Sequence, residues 1–249
     1  MARAFPIQCR ILAMAKNSQP TPAPVSSRPE IEAFLERVRA LGPSSAQGAR
    51  GRLLFALDAT MSRQPTWDTA CTLQADMFRE AAGIGGLDIQ LVYFRGLNEC
   101  RASGWVSDGK QLADLMARID CRGGQTQIGK ILNHARQEHA RSKVQALVFV
   151  GDAMEEPIDN LCQAAGELGI LGVPVFMFQE GGDPIAENAY REIARLSRGA
   201  YCRFDAGSAH QLGDLLRAVA AYAAGGIRAL KELSSRRSAG AQKLLSQLK

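Results

Sequence analysis

The stretch LLFALDATMS, residues 53–62, joins five apolar residues to a polar segment that opens with an aspartate. A short apolar run of this kind predicts a strand that is buried on both faces. Asp58 follows the strand directly, and Thr60 and Ser62 come after it at two-residue spacing. The segment therefore predicts a buried strand with three oxygen-bearing side chains at its carboxyl end.

Four further apolar runs alternate with segments of helix length along the rest of the chain. Strands are predicted at 53–57, 89–94, 146–150, 173–178 and 200–204, a short edge strand at 103–107, and helices near 67–82, 108–118, 127–140, 158–170, 185–197 and 208–223. Strands and helices in alternation, with the strands apolar on both faces, predict a mainly parallel sheet covered on both sides. The expected fold class is α/β, a doubly wound sheet with one short antiparallel edge strand.

The flanks of this α/β region differ from it in composition. Residues 1–26 are expected to form a flexible segment that includes most of a Pro/Ser-rich linker, and residues 27–52 an amphipathic helix and a loop. The α/β domain is expected to span residues 53–224. Residues 225–249 are expected to form a basic, partly helical tail.

The charge of the chain is distributed unevenly. Residues 1–52 carry eight basic and three acidic residues, and residues 227–249 carry six and one, so each flank has a net charge of +5. The middle of the chain carries 16 basic and 21 acidic residues, a net charge of −5. The basic excess therefore belongs to the flanks and argues against nucleic-acid binding by the core. No apolar run approaches the roughly 18 residues of a membrane span.

The cysteines and the first residues bear on the cellular compartment. The six cysteines are widely spaced and contain no C-x-x-C pair, so they predict neither a zinc site nor a disulfide framework. Cysteines used as small apolar residues are typical of reduced proteins. The opening MARAFPIQCRILAMAKNSQ has scattered basic residues and no uninterrupted apolar stretch, unlike a secretory signal. A cytoplasmic location is expected.

Two further oxygen-bearing residues stand near other strand ends. The strand at 146–150 runs into Asp152, and Thr126 precedes the helix that leads into that strand. Ligands of open α/β sheets bind outside the carboxyl ends of the strands, so the loops that carry these residues are expected to meet at one rim. The candidate metal ligands are Asp58, Thr60, Ser62, Thr126 and Asp152, with Asp58 at the rim and not in the core.

Every donor in this set is an oxygen atom, which suits hard cations. Mg²⁺ or Mn²⁺ is expected, and Ca²⁺ fits less well. Asp58 and Asp152 balance a divalent ion, while an open position remains for an outside anion such as a carboxylate of a partner protein. Thr60, Ser62 and Thr126 are expected to approach the ion directly, and whether one or both aspartates act through water stays open.

The pattern D-x-T-x-S from Asp58, followed by Thr126 and Asp152 on an alternating strand–helix chain, is similar to the von Willebrand factor A (VWA) domain. The resemblance covers residues 53–222, and the five positions are those of the metal-ion-dependent adhesion site (MIDAS). It implies a Rossmann-like sheet, Mg²⁺ or a similar ion at its carboxyl edge, and binding to acidic side chains of partners. Bacterial intracellular members are typically adaptors or assembly factors, and some work with AAA+ ATPases. The chain is expected to be such a module and not an enzyme.

The sequence departs from the usual MIDAS pattern in two places. Thr60 stands where serine is usual, and its additional methyl group stiffens the side chain. Ala153 follows the last aspartate, where glycine is frequent, and Glu155 and Glu156 then add negative charge beside the rim. These glutamates would either tighten metal binding or repel an acidic partner. Purely structural roles are also open. Thr126 would act as a helix N-cap, and Asp152 would pair with Glu155 in a capping box.

The segment GGQTQIGK, residues 123–130, has a second interpretation as a phosphate-binding loop. Read from Gly124 it gives G-x-x-x-x-G-K, but Ile131 stands where the P-loop needs serine or threonine, and the preceding segment has helical periodicity. Walker-type phosphate binding is therefore disfavoured. Gly123 and Gly124 are expected to let the backbone turn so that Thr126 reaches the ion.

Two alternatives to the binding module remain open. A phosphotransferase or hydrolase of the haloacid dehalogenase type also places an aspartate after its first strand, but it needs a second acid two residues later, where this chain has Thr60. A nucleic-acid or membrane binder would act through the basic tail, whose apolar stripe is interrupted by SSRRSAG. His134 and His139 are five residues apart, the wrong spacing to share a metal, and are expected at the surface.

Overall fold

A computed structural model describes residues 50–61, 64, 67–70, 72–73, 86–205 and 209–235. The strands are β1 (Gly51–Asp58), β2 (Leu87–Arg95), β3 (Glu99–Val106), β4 (Ala146–Gly151), β5 (Val175–Glu180) and β6 (Ala200–Phe204). The helices with full bounds are α1 (Gly109–Met116), α2 (Ile128–Arg141), α3 (Ile158–Leu171), α4 (Pro184–Leu196) and α5 (Ala209–Ser235). The helix predicted near 67–82 lies only partly within this range. The predicted helix in 27–52 and most of the tail lie outside it.

The six strands of the described region form one sheet in the order β3-β2-β1-β4-β5-β6. β1 runs parallel to both β2 and β4, and β4, β5 and β6 continue the parallel array. β3 lies at the edge and pairs antiparallel with β2. The predicted α/β fold with one antiparallel edge strand is confirmed. β3 is longer than predicted because the hairpin ladder begins at the Arg95–Glu99 pair, directly after its turn.

β1 shows why the sheet is buried on both faces. Successive side chains of a strand point to opposite sides. Phe55 and Leu57 pack into the core on one side of the sheet, and Leu54 and Ala56 into the core on the other. Fully burying an aliphatic or aromatic side chain stabilises the fold by about 1.5–3 kcal/mol, so burial on both faces makes this central strand a major part of the core.

α5 consists of two helical segments that meet at a break at Gly226, with φ 65° and ψ −159°. The first segment ends close to residue 223, as the sequence predicts, and the second runs to Ser235. This backbone conformation is open essentially to glycine alone. The structure therefore extends helical backbone into the segment predicted as a basic, partly helical tail.

His134 and His139 are half-buried and not at the surface as predicted. The side-chain Nε2 of Gln90 donates to the main-chain carbonyl of Ser103 at 2.8 Å. The Oε1 of the same side chain then accepts a hydrogen bond from His134 Nε2 at 2.8 Å. His139 Nδ1 accepts from the amide of Val144 at 3.3 Å. Each histidine therefore packs as a structural residue of α2.

We expect the stability of the domain to fall in mildly acidic solution because of His134. Burial lowers the pKa of His134 below its ordinary value of 6.5, against an opposing effect of Glu138. The folded chain then binds a proton less readily than the unfolded chain, so stability is lost as the pH falls below about 6.5. Urea unfolding of wild type and of His134→Gln between about pH 7 and pH 5 measures this, and an equal decline in both would contradict it.

Candidate metal centre

The carboxyl ends of β1 and β4 lie side by side, because the two strands are parallel neighbours with Leu57 opposite Val150. The loops that follow them meet the loop before α2 around one cavity of about 190 Å³. Four of the five predicted ligands line this cavity, namely Asp58, Thr60, Thr126 and Asp152. Ser62 lies outside the described residues. The cavity is also lined by Met61, Gly123, Gly124, Ala153 and Glu155.

Asp58 lines the cavity at the carboxyl edge of the sheet but is buried there, although the sequence predicts a position at the rim and not in the core. The residue is 2 % exposed, and its Oδ1 accepts a hydrogen bond of 2.8 Å from the main-chain amide of Thr60. The main chain at Ala59 is held by Phe94 on one side and by Arg122 on the other, at 3.0 Å each. The loop after β1 is therefore fixed by its neighbours, and Asp58 forms part of the floor of the cavity.

The alternative role of Thr126 as the N-cap of α2 is not observed. α2 begins at Ile128, and the residue at its N-cap position, Gln127, makes no side-chain capping bond. Thr126 instead forms a reciprocal pair with Glu155: the amide of Thr126 donates to Glu155 Oε2 at 2.8 Å, and the amide of Glu155 donates to Thr126 Oγ1 at 3.0 Å. A hydroxyl oxygen has two lone pairs, so this contact orients Thr126 and still leaves one lone pair for a ligand.

Glu156 supplies the missing cap of α2 from another loop. Its carboxylate accepts hydrogen bonds from the amides of Ile128 and Gly129, the latter at 3.0 Å. A carboxylate at a helix N-terminus satisfies unpaired amides and complements the helix dipole. The alternative of a capping box of Asp152 and Glu155 is not formed, since α3 begins at Ile158 with Pro157 at its N-cap position. The two glutamates thus join the loop after β4 to the start of α2.

We expect Glu156→Ala to destabilise the fold by about 1–2 kcal/mol, because it leaves two helix amides without their acceptor. Denaturant unfolding measures this. Glu167→Ala is the matched control, since Glu167 forms a partly exposed ion pair with Arg136 of α2 and a hydrogen bond with Gln163 of its own helix. Its loss should change stability by less than about 1 kcal/mol. Equal losses in the two variants would show that Glu156 has no special role at the helix start.

Gly124 is needed for close approach and not for an unusual turn, contrary to the prediction. Neither Gly123 nor Gly124 has a positive φ. A Cβ atom on Gly124 would lie 2.1 Å from the carbonyl oxygen of Gly96, whereas one on Gly123 would meet nothing within 4 Å. The amide of Gln125 donates to the same carbonyl at 3.1 Å. The loop that carries Thr126 is therefore packed directly against the tip of the β2–β3 hairpin.

The chemistry of the cavity fits a hard divalent cation. The described residues contain no cluster of three or more His, Cys, Asp or Glu side chains suited to a metal ion. The predicted set is of another kind, because hydroxyl groups make up most of it. Among its described members, Asp58 Oδ2 and Asp152 Oδ1 are buried atoms that accept no hydrogen bond, although both residues make other interactions. Such buried carboxylate oxygens, beside threonine hydroxyls, match the oxygen donors that Mg²⁺ and Mn²⁺ prefer.

The similarity of this chain to known proteins is found by comparing structures. No family model and no curated protein matches the chain. An aerotolerance-related membrane protein from Bacteroides fragilis aligns over 67% of this chain and 96% of its own, with a TM-score of 0.52 and 19% identity. A von Willebrand factor type A structure from Catenulispora acidiphila aligns over 71% and 43%, with a TM-score of 0.55 and 17% identity. The SpRpn10 VWA domain aligns over 67% and 95%, with a TM-score of 0.53 and 14% identity.

The neighbours also include a MIDAS-bearing protein, proximal thread matrix protein 1 of the mussel byssus, with zinc in its MIDAS motif. It aligns over 70% of this chain and 46% of its own, at a TM-score of 0.54 and 17% identity. The chain therefore has the fold of a VWA domain, which confirms the predicted resemblance at the level of architecture. Within the described residues, no helix has both the length and the apolar character to cross a membrane.

Proposed function

We propose that this chain is a metal-dependent protein-interaction module. A divalent cation, Mg²⁺ or Mn²⁺ before Ca²⁺, is held by Asp58, Thr60, Ser62, Thr126 and Asp152. When bound, the ion offers an electrophilic position to a carboxylate of a partner protein. The chain's own residues orient this position, with Asp58 held by the amide of Thr60 and Thr126 held by Glu155.

One observation carries this proposal. Oxygen-bearing residues from three loops that are distant in sequence line the same small cavity at the carboxyl edge of the sheet. Asp58 and Asp152 provide the charge for one divalent ion there. Glu155 adds a third carboxylate to the described lining, and a divalent cation held there would relieve the repulsion among the three.

The proposed role is that of an adaptor or assembly factor in the cytoplasm, without catalytic activity. The partner is a subunit of a larger complex, with an AAA+ ATPase among the candidates. Cys100 and Cys162 are thiols and not disulfide partners, which fits a reducing compartment. Thr60 occupies the position where a haloacid dehalogenase-type enzyme needs its second acid, which supports a binding role over phosphoryl transfer.

Pull-down from a cell lysate with and without a chelator tests the proposal. We expect partner proteins to be retained in Mg²⁺, lost with EDTA, and regained when excess Mg²⁺ is restored. Identical sets of retained proteins under all three conditions would contradict metal-dependent binding. A phosphatase assay with Mg²⁺ addresses the enzymatic alternative, and activity that is lost in Asp58→Asn would overturn the non-catalytic assignment.

A further inference from the structure

A second cavity lies close to the candidate metal centre, between the edge strand β3 and helix α2. It has a volume of about 310 Å³, and its lining includes Cys100, Arg101, Lys130 and His134 but no carboxylate of the described residues. We call it the β3–α2 groove. Its charged lining residues are cations, so its chemistry is opposite to that of the metal centre.

Arg101 contributes positive charge that its neighbours do not fully balance. Its guanidinium lies 2.8 Å from Glu99, and the same carboxylate lies 3.0 Å from Arg95. One carboxylate therefore serves two guanidinium groups, and their cluster keeps a positive charge. The side chain of Arg101 is 68% exposed, so it is accessible to a partner.

Lys130 adds a second positive charge in the first turn of α2. Its Nζ donates to Gln127 Oε1 at 2.9 Å and to the carbonyl of Asn98 at 3.3 Å, which are neutral acceptors. Among the described residues Lys130 forms no ion pair with a carboxylate. Burial raises the pKa of the Cys100 thiol to about 11, so the thiol adds no negative charge to the groove. The carboxylate of Glu156 is already used by the amides at the start of α2.

The tip of the β2–β3 hairpin, residues 96–98, connects the two cavities. Gly96 packs against Gly124 of the metal centre, and Asn98 binds Lys130 of the groove. Leu97 between them is 77% exposed, the exposed apolar side chain of this tip. The tip therefore offers an exposed apolar side chain beside both cavities.

We propose that the partner of the metal centre is an acidic, extended protein segment that continues across this tip into the β3–α2 groove. One carboxylate reaches the metal centre, an apolar side chain lies on Leu97, and a further carboxylate lies between Arg101 and Lys130. This inference rests on the proposed function and defines the partner more narrowly. Opposite charges on two continuous surfaces steer such a segment and fix its direction.

Charge reversal in the groove tests the inference by fluorescence anisotropy. The probe is a short labelled peptide of alternating aspartate and leucine, titrated with the full chain in Mg²⁺. The double variant Arg101→Glu/Lys130→Glu should bind this peptide about tenfold more weakly, because two attractive contacts become repulsive. The added negative charges do not repel a cation at the nearby centre, and calorimetry with Mg²⁺ checks that loss of the Lys130 contacts with Gln127 and Asn98 leaves ion binding intact.

Lys110→Glu/Lys143→Glu is the matched control, since both lysines are exposed and lie outside the groove. It should bind the peptide within about twofold of wild type. Three results would overturn the groove assignment. They are an equal loss of affinity in the control variant, unchanged affinity in the groove variant, and tighter binding of a single-stranded oligothymidylate than of the peptide. If a chelator leaves peptide binding by the wild type unchanged, the proposed function itself fails, whatever the variants do.

Discussion

Asp58→Asn is expected to weaken Mg²⁺ and Mn²⁺ binding by at least about a hundredfold, a loss of about 2.7 kcal/mol. Asparagine keeps a side-chain oxygen that can accept the hydrogen bond from the amide of Thr60, so the loop retains its shape. The change removes one of the two negative charges that attract the cation. Isothermal titration calorimetry with each metal measures the loss.

Asp114→Asn is the control for this variant, since Asp114 is exposed on α1 and lies outside the cavity. It should bind metal as the wild type does. Asp58→Ala also removes the acceptor for Thr60 and should lower stability by about 1 kcal/mol, without unfolding the domain. Wild-type metal affinity in Asp58→Asn would exclude Asp58 as a ligand.

Gly124→Ala is expected to destabilise the domain by about 1–3 kcal/mol and to weaken metal binding as well. The new methyl group would lie 2.1 Å from the carbonyl oxygen of Gly96, which is main chain and cannot turn away as a side chain would. The loop must shift, and Thr126 two residues later moves with it. Urea unfolding and metal titration of the same preparation measure the two effects.

Gly123→Ala is a closely matched control, because it adds the same methyl group one residue earlier in the same cavity lining. No atom lies within 4 Å of that methyl position, so stability and metal affinity should stay near the wild-type values. If both alanine variants behave alike, contact with the hairpin tip is not what requires glycine at position 124.

The fold could be predicted from the sequence because its main signals are local. The apolar run at 53–57 predicts a buried strand, and β1 places these residues alternately in the two cores. The predicted convergence of loops followed from parallel strands ending at one edge, and Asp58, Thr126 and Asp152 do line one cavity. Their role as metal ligands remains a prediction.

The errors concern contacts between residues that are distant in sequence. Spacing allows Thr126 as the cap of α2, but the capping carboxylate comes from Glu156, 28 residues away from Ile128. The sequence indicates a turn at Gly124, because the approach of Gly96 has no local signal. The adjacent pair Glu155 and Glu156 was visible in the sequence as negative charge, but its partners could be identified only from the structure.

The location of a bound ion tests the central claim most directly. A crystal structure of the full chain grown with Mn²⁺, with anomalous diffraction data to locate the metal, would give that location. We predict one Mn²⁺ peak in the cavity between Asp58, Thr126 and Asp152, at oxygen distances of about 2.0–2.3 Å from the residues that ligate it directly. A structure with Mn²⁺ bound only elsewhere, or with this cavity lacking a peak at saturating Mn²⁺, would contradict the account.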